Sequence, residues 1–230
     1  MLKEHIEAIA KSTLFKGIDK EELVLVMNCL GPRVSDYRKN EHIVLTGDSY
    51  NGLGLLLKGE ATVIKENSAG KRIMMTLLKQ GDLFGEMIAF SHYSFWLASV
   101  EAQSDCTVMY LPKEKIISQC EHSCPWHRKL IENMLTILSE KALQLNKKVE
   151  YLTLKSIREK ICTFLFDQYK NTGQATFMLP MNRNELADFL NVSRPSLSRE
   201  MCKLRDEGVI DFHLATVRIL DFKTMQTYLE

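Results

Sequence analysis

Arg194 and Arg199, inside the stretch Met181 to Ile210 (MNRNELADFLNVSRPSLSREMCKLRDEGVI), are the residues whose type and spacing carry chemistry. A guanidinium offers parallel donors that match N7 and O6 of guanine, so two arginines about one helical turn apart form a base-reading pair. Ser193, Pro195, Ser196 and Ser198 surround them, and these six residues form the expected DNA-contacting set. A solvated amphipathic helix that merely displays arginines is the alternative reading.

Two short helices must hold this pair in place. Asn182 with Glu185 three residues later forms a capping box, so the first helix starts near Arg183. Leu186, Phe189 and Leu190 recur on one face, and Ala187 is small where a second helix must cross. Asn191 breaks the pattern and tolerates the left-handed turn. Ser193 can cap the second helix, with Pro195 in its first turn and Leu197, Met201 and Leu204 as its buried stripe. After Gly208, VIDFHLATVRILDF reads as two β-rich runs around a polar turn, a wing.

The run ELADFLNVSRPSLSREMCKLRDEGVI resembles the helix-turn-helix of the Crp/Fnr transcription regulators, which runs through V-S-R-x-x-[LV]-[SG]-R to G-[LI]-I. Pro195 departs from the Glu that many members carry after the first arginine. The family fold is therefore implied, but not the DNA sequence that its best-known members read.

The length of 230 residues suggests two domains. A net charge of +1 gives no global argument for nucleic acid, so DNA affinity must come from local basic clustering. No apolar run reaches the length of a membrane span, and MLKEHIEAIAKS lacks the apolar centre of a signal peptide, so a cytoplasmic protein without membrane contact is expected. Reduced cysteines are expected at positions 29, 106, 120, 124, 162 and 202. Cys120, His122, Cys124 and His127 fall within eight residues, but their spacing fits no common zinc pattern. Some Crp/Fnr members hold an iron-sulfur cluster through N-terminal cysteines, and this chain has none before Cys29. No metal and no other cofactor is expected. A metal-dependent barrel enzyme is disfavoured because His42 and His92 lie on separate runs, and no nucleotide loop, nucleophile elbow or His-Glu zinc motif suggests catalysis.

Short helices are expected over residues 1–30. From Val34 brief apolar runs alternate with turns, HIVLTGD, GLGLLLKGE, ATVIKENSAGKR, IMMTLLKQGD, LASVEAQSD and CTVMYLP, the rhythm of an antiparallel barrel or jelly roll. The Gly-Asp and Leu-Leu-x-Gly signals resemble the cyclic-nucleotide-binding β-roll of the same family. Asp82-Leu-Phe-Gly-Glu-Met87 matches the start of its phosphate cassette, and Trp96-Leu97-Ala98-Ser99-Val100 stands where cyclic-AMP-binding members have Arg-[ST]-A-x-V. An indole offers one donor and no charge to a phosphate, which disfavours cyclic AMP. Gly85, Glu86, Met87, Trp96, Leu97 and Ala98 are the expected effector pocket. Two readings of it stay open: Trp96 and Phe95 fill it, or it takes an apolar or aromatic small molecule.

From about Trp126 a long helix begins. Ile131, Leu135, Leu138, Ala142, Leu145, Val149 and Leu152 step by four and three, the seam of a parallel dimer, while Met134 and Ile137 lie off the seam and can pack on the roll. Burial within one chain is the alternative. The family dimerises through this helix, and its purine-contacting positions match Leu145 and Asn146, the last two pocket residues.

The expected fold is α+β: an N-terminal antiparallel β-roll of jelly-roll type (residues 1–125), a long central dimerisation helix (126–153) and a C-terminal winged helix-turn-helix (154–230). The expected function is a homodimeric regulator on palindromic double-stranded DNA, controlled by an unidentified effector and working with RNA polymerase. A ligand receptor whose C-terminal module binds protein instead is the alternative.

Overall fold

The computed structural model describes residues 2–49, 52–66, 70, 72–117 and 125–229. The chain opens with α1 (Ile6–Lys11) and α2 (Lys20–Leu30). Then come β1 (Arg33–Tyr37), β2 (His42–Val44), β3 (Leu53–Lys58), β4 (Ala61–Glu66), β5 (Arg72–Leu78), β6 (Leu83–Phe84), the one-turn α3 (Glu86–Ala89), β7 (Ser99–Ala102) and β8 (Cys106–Leu111). After α4 (Lys113–Ile117) the 29-residue α5 (Pro125–Thr153) leads to α6 (Ile157–Thr172) and β9 (Thr176–Met178). The remainder is α7 (Arg183–Phe189), α8 (Arg194–Asp206), β10 (Ile210–His213), β11 (Thr216–Ile219) and α9 (Phe222–Thr227). Two compact units result, Met1–Glu140 and Lys141–Glu230, and α5 runs from one into the other. Among the described residues no helix is long and apolar enough to cross a membrane.

In the first unit two antiparallel sheets, ordered β1-β8-β3-β6 and β2-β7-β4-β5, form the expected roll. The period of two along β3 sends Leu53, Leu55 and Leu57 into a cluster with the N-terminal helices and Leu56 into a second cluster with Val100 and Val108. Both faces of the strand are therefore buried, which is why it reads as an unbroken apolar run. Gly54 in this strand leaves space for a ring, because a Cβ there would lie 2.1 Å from Phe84 Cζ. Gly59 turns β3 into β4 at φ 87°, with Asp105 O only 2.4 Å from where a Cβ would stand.

The first half of α5 packs on this unit through Trp126, Leu130, Met134 and Ile137, which join Ile9, Leu14, Phe15 and Leu23 in one core. Asn133 lies among them, and its Nδ2 donates to the carbonyls of Leu14 (2.9 Å) and Lys16 (2.8 Å). Asn133→Leu is expected to strand two carbonyls and to cost about 1–3 kcal/mol, read as a lower midpoint of thermal unfolding.

The C-terminal unit is built on Phe164, Leu165, Leu186, Leu197, Met201, Leu204, Ile210, Val217 and Met225. The Arg158 guanidinium braces it, donating from Nε to Glu200 (2.7 Å) and from Nη1 and Nη2 to both oxygens of Glu207 (2.8 and 2.7 Å). These bonds hold the Glu207 carboxyl below the usual carboxylate range. The brace therefore acts at neutral pH and is lost as pH falls through that lowered value. The β10–β11 hairpin, with β9 beside β11, is the wing.

Candidate nucleic-acid interface and roll site

The helix-turn-helix is set by local chemistry. Asn182 Oδ1 accepts from the N–H groups of Asn184 (2.9 Å) and Glu185 (3.0 Å), while Glu185 accepts from Asn182 N–H (2.8 Å), so α7 begins at Arg183. Asn191 follows the helix at φ 52°, and Val192 N–H returns to Ala187 O (2.9 Å), closing the turn. The buried Lys160 donates to Leu190 O (3.1 Å), a cation at the negative end of α7. Ser193 accepts from Ser196 N–H (3.3 Å) and starts α8. Ala187 and Leu186 on α7 meet Leu197, Met201 and Leu204 on α8, all buried.

The outer side of α8 is thereby fixed. Ser193, Arg194, Pro195 and Arg199 are exposed, and Ser196, Ser198 and Cys202 are half-buried. Five residues at 100° each place Arg194 and Arg199 about 140° apart around the axis, so the pair does not lie on one line as the simple count of turns suggested. Arg199 Nη2 donates to Ser196 Oγ (3.3 Å), which steers its guanidinium toward the N-terminal end. No acidic residue stands in the first turn, and Glu200 is engaged by Arg158.

Sequence reasoning missed the residues that fix the wing. Arg183 and Arg205 both stack on Phe212, at 5.0 and 5.1 Å from the ring centroid, and Arg183 also reaches Met201 Sδ (2.7 Å) and Leu214 O (3.5 Å). The wing turn is not polar as expected: it consists of Leu214 and Ala215, closed by the His213–Thr216 pair. Of these two central residues only Leu214 has positive φ, 52°, the sign pattern of a II′ turn whose first position usually holds Gly. A leucine there stores roughly 1–2 kcal/mol of backbone strain. The absence of Gly between two β-rich runs was the signal available in the sequence.

In the roll, Gly85 at φ 82° leads into α3, Glu86 is buried, and Met87 projects outward. Trp96 is only 4% exposed and packs in the cluster of Ile43, Leu56, Phe84, Ile88 and Val100, with its ring centroid 5.9 Å from that of Phe84. Its backbone is pinned by Trp96 N–H to Asp48 O (2.9 Å) and Gly47 N–H to Trp96 O (2.8 Å). Phe95 does not join it, being exposed beside Tyr93, because successive residues of an extended segment point to opposite sides. Leu97 is exposed and Ala98 half-buried. Leu145 and Asn146 are exposed on α5, in the second compact unit. An open depression elsewhere on the roll is lined by Asp36, Tyr37, Arg38, Glu41, Lys58 and Asp105–Thr107, none of them a predicted pocket residue.

Along α5, Ile131, Leu135, Ala142, Leu145, Val149 and Leu152 are exposed, whereas Leu138 is half-buried against the roll core. Tyr151 points the other way, fully buried, donating to Asp167 (2.6 Å). Among the described residues no cluster of three His, Cys, Asp or Glu could hold a metal ion. Cys120, His122 and Cys124 lie outside the described residues. His127 is buried, and its Nε2 donates to Lys115 O (3.1 Å). Burial raises the thiol of Cys106 and pushes that of Cys162 up to about 12, so neither is a thiolate near neutral pH.

Comparison with known proteins agrees with this geometry. Residues 34–123 match the cyclic nucleotide-binding domain, and residues 159–228 match the Crp-like helix-turn-helix domain. The chain is 24% identical over 195 residues to the cAMP-activated global transcriptional regulator CRP of Pasteurella multocida, covering 80% of this chain and 88% of that one. It is 26% identical over 211 residues to the transcriptional activator protein FnrL of Cereibacter sphaeroides, covering 84% and 77%. The crystal structure of Thermus thermophilus catabolite activator protein shares the fold, with a TM-score of 0.54 at 22% identity over 95% of this chain and 98% of that one. With both domains present in the family's order and relatives of that kind along most of its length, the chain belongs to the Crp/Fnr family of DNA-binding transcription regulators.

Proposed function

We propose that the protein is a homodimer that binds a palindromic operator and responds to an effector other than cyclic AMP. Residues 1–125 sense, residues 126–153 dimerise and residues 154–230 read DNA. The observation that carries the reading is the outer side of α8, where Arg194 and Arg199 are exposed and face no competing carboxylate in the first turn. A dimer places two such helices about one DNA turn, roughly 34 Å, apart. The effector acts by population shift, favouring the arrangement in which that spacing is met. RNA polymerase is the partner through which occupancy of the operator becomes regulation.

Selection of duplexes from a random pool by the purified protein, with and without a low-molecular-weight cell extract, tests this directly. Enrichment of an inverted repeat supports it, whereas retention that is equal on all sequences would leave only a non-specific polyanion binder. Arg194→Ala and Arg199→Ala are each expected to cost about 1–3 kcal/mol on the enriched sequence and to relax one base pair per half-site. Equal losses on random and selected DNA would reduce these residues to phosphate contacts.

A further inference from the structure

We propose that Tyr151 and Asp167 are positioning residues that lock the last turns of α5 to the DNA-reading helices and so restrict the dimer to one spacing between the half-sites of its operator. The inference rests on the reading of the chain as a dimer on an inverted repeat, and it adds what fixes the separation that such a dimer accepts.

Leu154, Lys155 and Ser156 are all that connects α5 to α6. A few residues between two helices can absorb a large backbone change and act as a hinge, unless side chains hold the helices together. Here they do. Lys147 and Tyr151 stand one turn apart on α5, and both meet the same oxygen, Oδ2 of Asp167 on α6, at 3.1 and 2.6 Å. The Tyr151 ring is fully buried, with its centroid 6.1 Å from that of Phe164 on α6 and 5.2 Å from that of Phe189 on α7. Those two rings are in turn 5.9 Å apart, so one aromatic cluster joins three helices. The connection itself is stapled, because Glu159 Oε2 accepts from Lys155 N–H (3.0 Å) and Ser156 N–H (3.4 Å) while Ser156 caps α6.

From α6 the constraint passes to α8, since Arg158 donates from Nε to Glu200 (2.7 Å). Burial and the Asp167 carboxylate raise the Tyr151 phenol, so its hydroxyl stays a donor rather than ionising. Neither residue acts by touching DNA: Tyr151 has no exposed surface, and Asp167 carries the same sign of charge as the phosphates. What they contribute to operator recognition is therefore geometric. One base pair more or less between the half-sites moves them by about 3.4 Å and turns them by about 35°. A locked connection does not absorb that change, whereas a free one does.

Tyr151→Phe keeps the ring cluster and removes the donor, and Asp167→Asn removes the charge that both α5 side chains meet. Each variant is expected to be a folded dimer with the parent's affinity for a duplex that carries a single half-site. On inverted repeats the parent should lose about ten-fold or more for each base pair added to or removed from the spacer, and the variants only about two-fold. Hydrogen exchange gives a second readout that needs no DNA: the amides of residues 147–156 should exchange about ten-fold faster in either variant than in the parent. Variants that keep the parent's spacing preference overturn the proposal, and so does rapid exchange of this segment in the parent. Equal losses on one half-site and on the repeat would reduce the pair to support for the fold of the DNA-reading unit, which also overturns it. If the parent enriches no inverted repeat, the operator reading itself fails and the spacing role falls with it, while the exchange rates still report whether the connection is locked.

Discussion

Leu145→Glu is expected to turn the protein into monomers that keep their fold and lose the operator. Leu145 is 58% exposed on α5, on the seam with Leu135 (60%), Val149 and Leu152, so in one chain the carboxylate stays in water and unfolding is barely altered. In a parallel dimer each residue of the seam meets its symmetry mate, and two carboxylates would be buried face to face, costing several kcal/mol. That is a loss of about a thousand-fold or more in dimer affinity. Operator binding falls with it, because two half-sites held by one molecule bind about 10² to 10⁴ times better than either alone. Sedimentation checks the mass, and a variant that stays dimeric moves the interface elsewhere. Leu138→Glu is the poorer test, since Leu138 also packs against the roll core and its loss mixes folding with association.

The same helix shows what the sequence made legible. Two apolar stripes were countable along α5: Met134 and Ile137 fall in the roll core, while the four-and-three series apart from Leu138 stays exposed. The capping box of α7, the Ser193 cap of α8 and Asn191 marked where the two helices begin and turn, because caps and left-handed turns depend on neighbours within three or four positions. What depends on distant neighbours was not legible. The two-residue β6 exists only because Leu83 and Phe84 meet Leu55 and Gly54 across the sheet. Which of Phe95 and Trp96 faces inward follows from the register of one short extended segment, and a shift of one residue exchanges them. The stacking of Arg183 and Arg205 on Phe212 is likewise a contact between residues some seven to thirty positions apart. The half-buried Leu138 was read as pure seam because periodicity cannot tell which core a stripe meets.

Neither cyclic AMP nor cyclic GMP is expected to bind the roll at micromolar concentration. A cyclic phosphate carries a full negative charge, and removing it from water without a cation costs several kcal/mol. The four arginines of the first unit, Arg33, Arg38, Arg72 and Arg128, are all exposed; Arg72 is spent on Glu101 (3.4 Å) and Arg128 on Glu132 (3.0 Å). Trp96, which the sequence resemblance sets at the cassette arginine's position, is packed against Phe84 inside the roll, and the buried Glu86 adds a carboxyl rather than a cation. Trp96 thus contributes to the roll as core. Trp96→Ala should cost about 3–5 kcal/mol of unfolding stability, lowering the thermal midpoint while creating no nucleotide affinity. Calorimetry on the parent protein decides the matter: micromolar binding of either nucleotide would show that a cation reaches the phosphate from outside the cassette, and the effector would then be a cyclic nucleotide after all. Absence of binding, together with the stability loss in Trp96→Ala, leaves a roll whose central position is closed to phosphate and whose signal must enter through another chemistry.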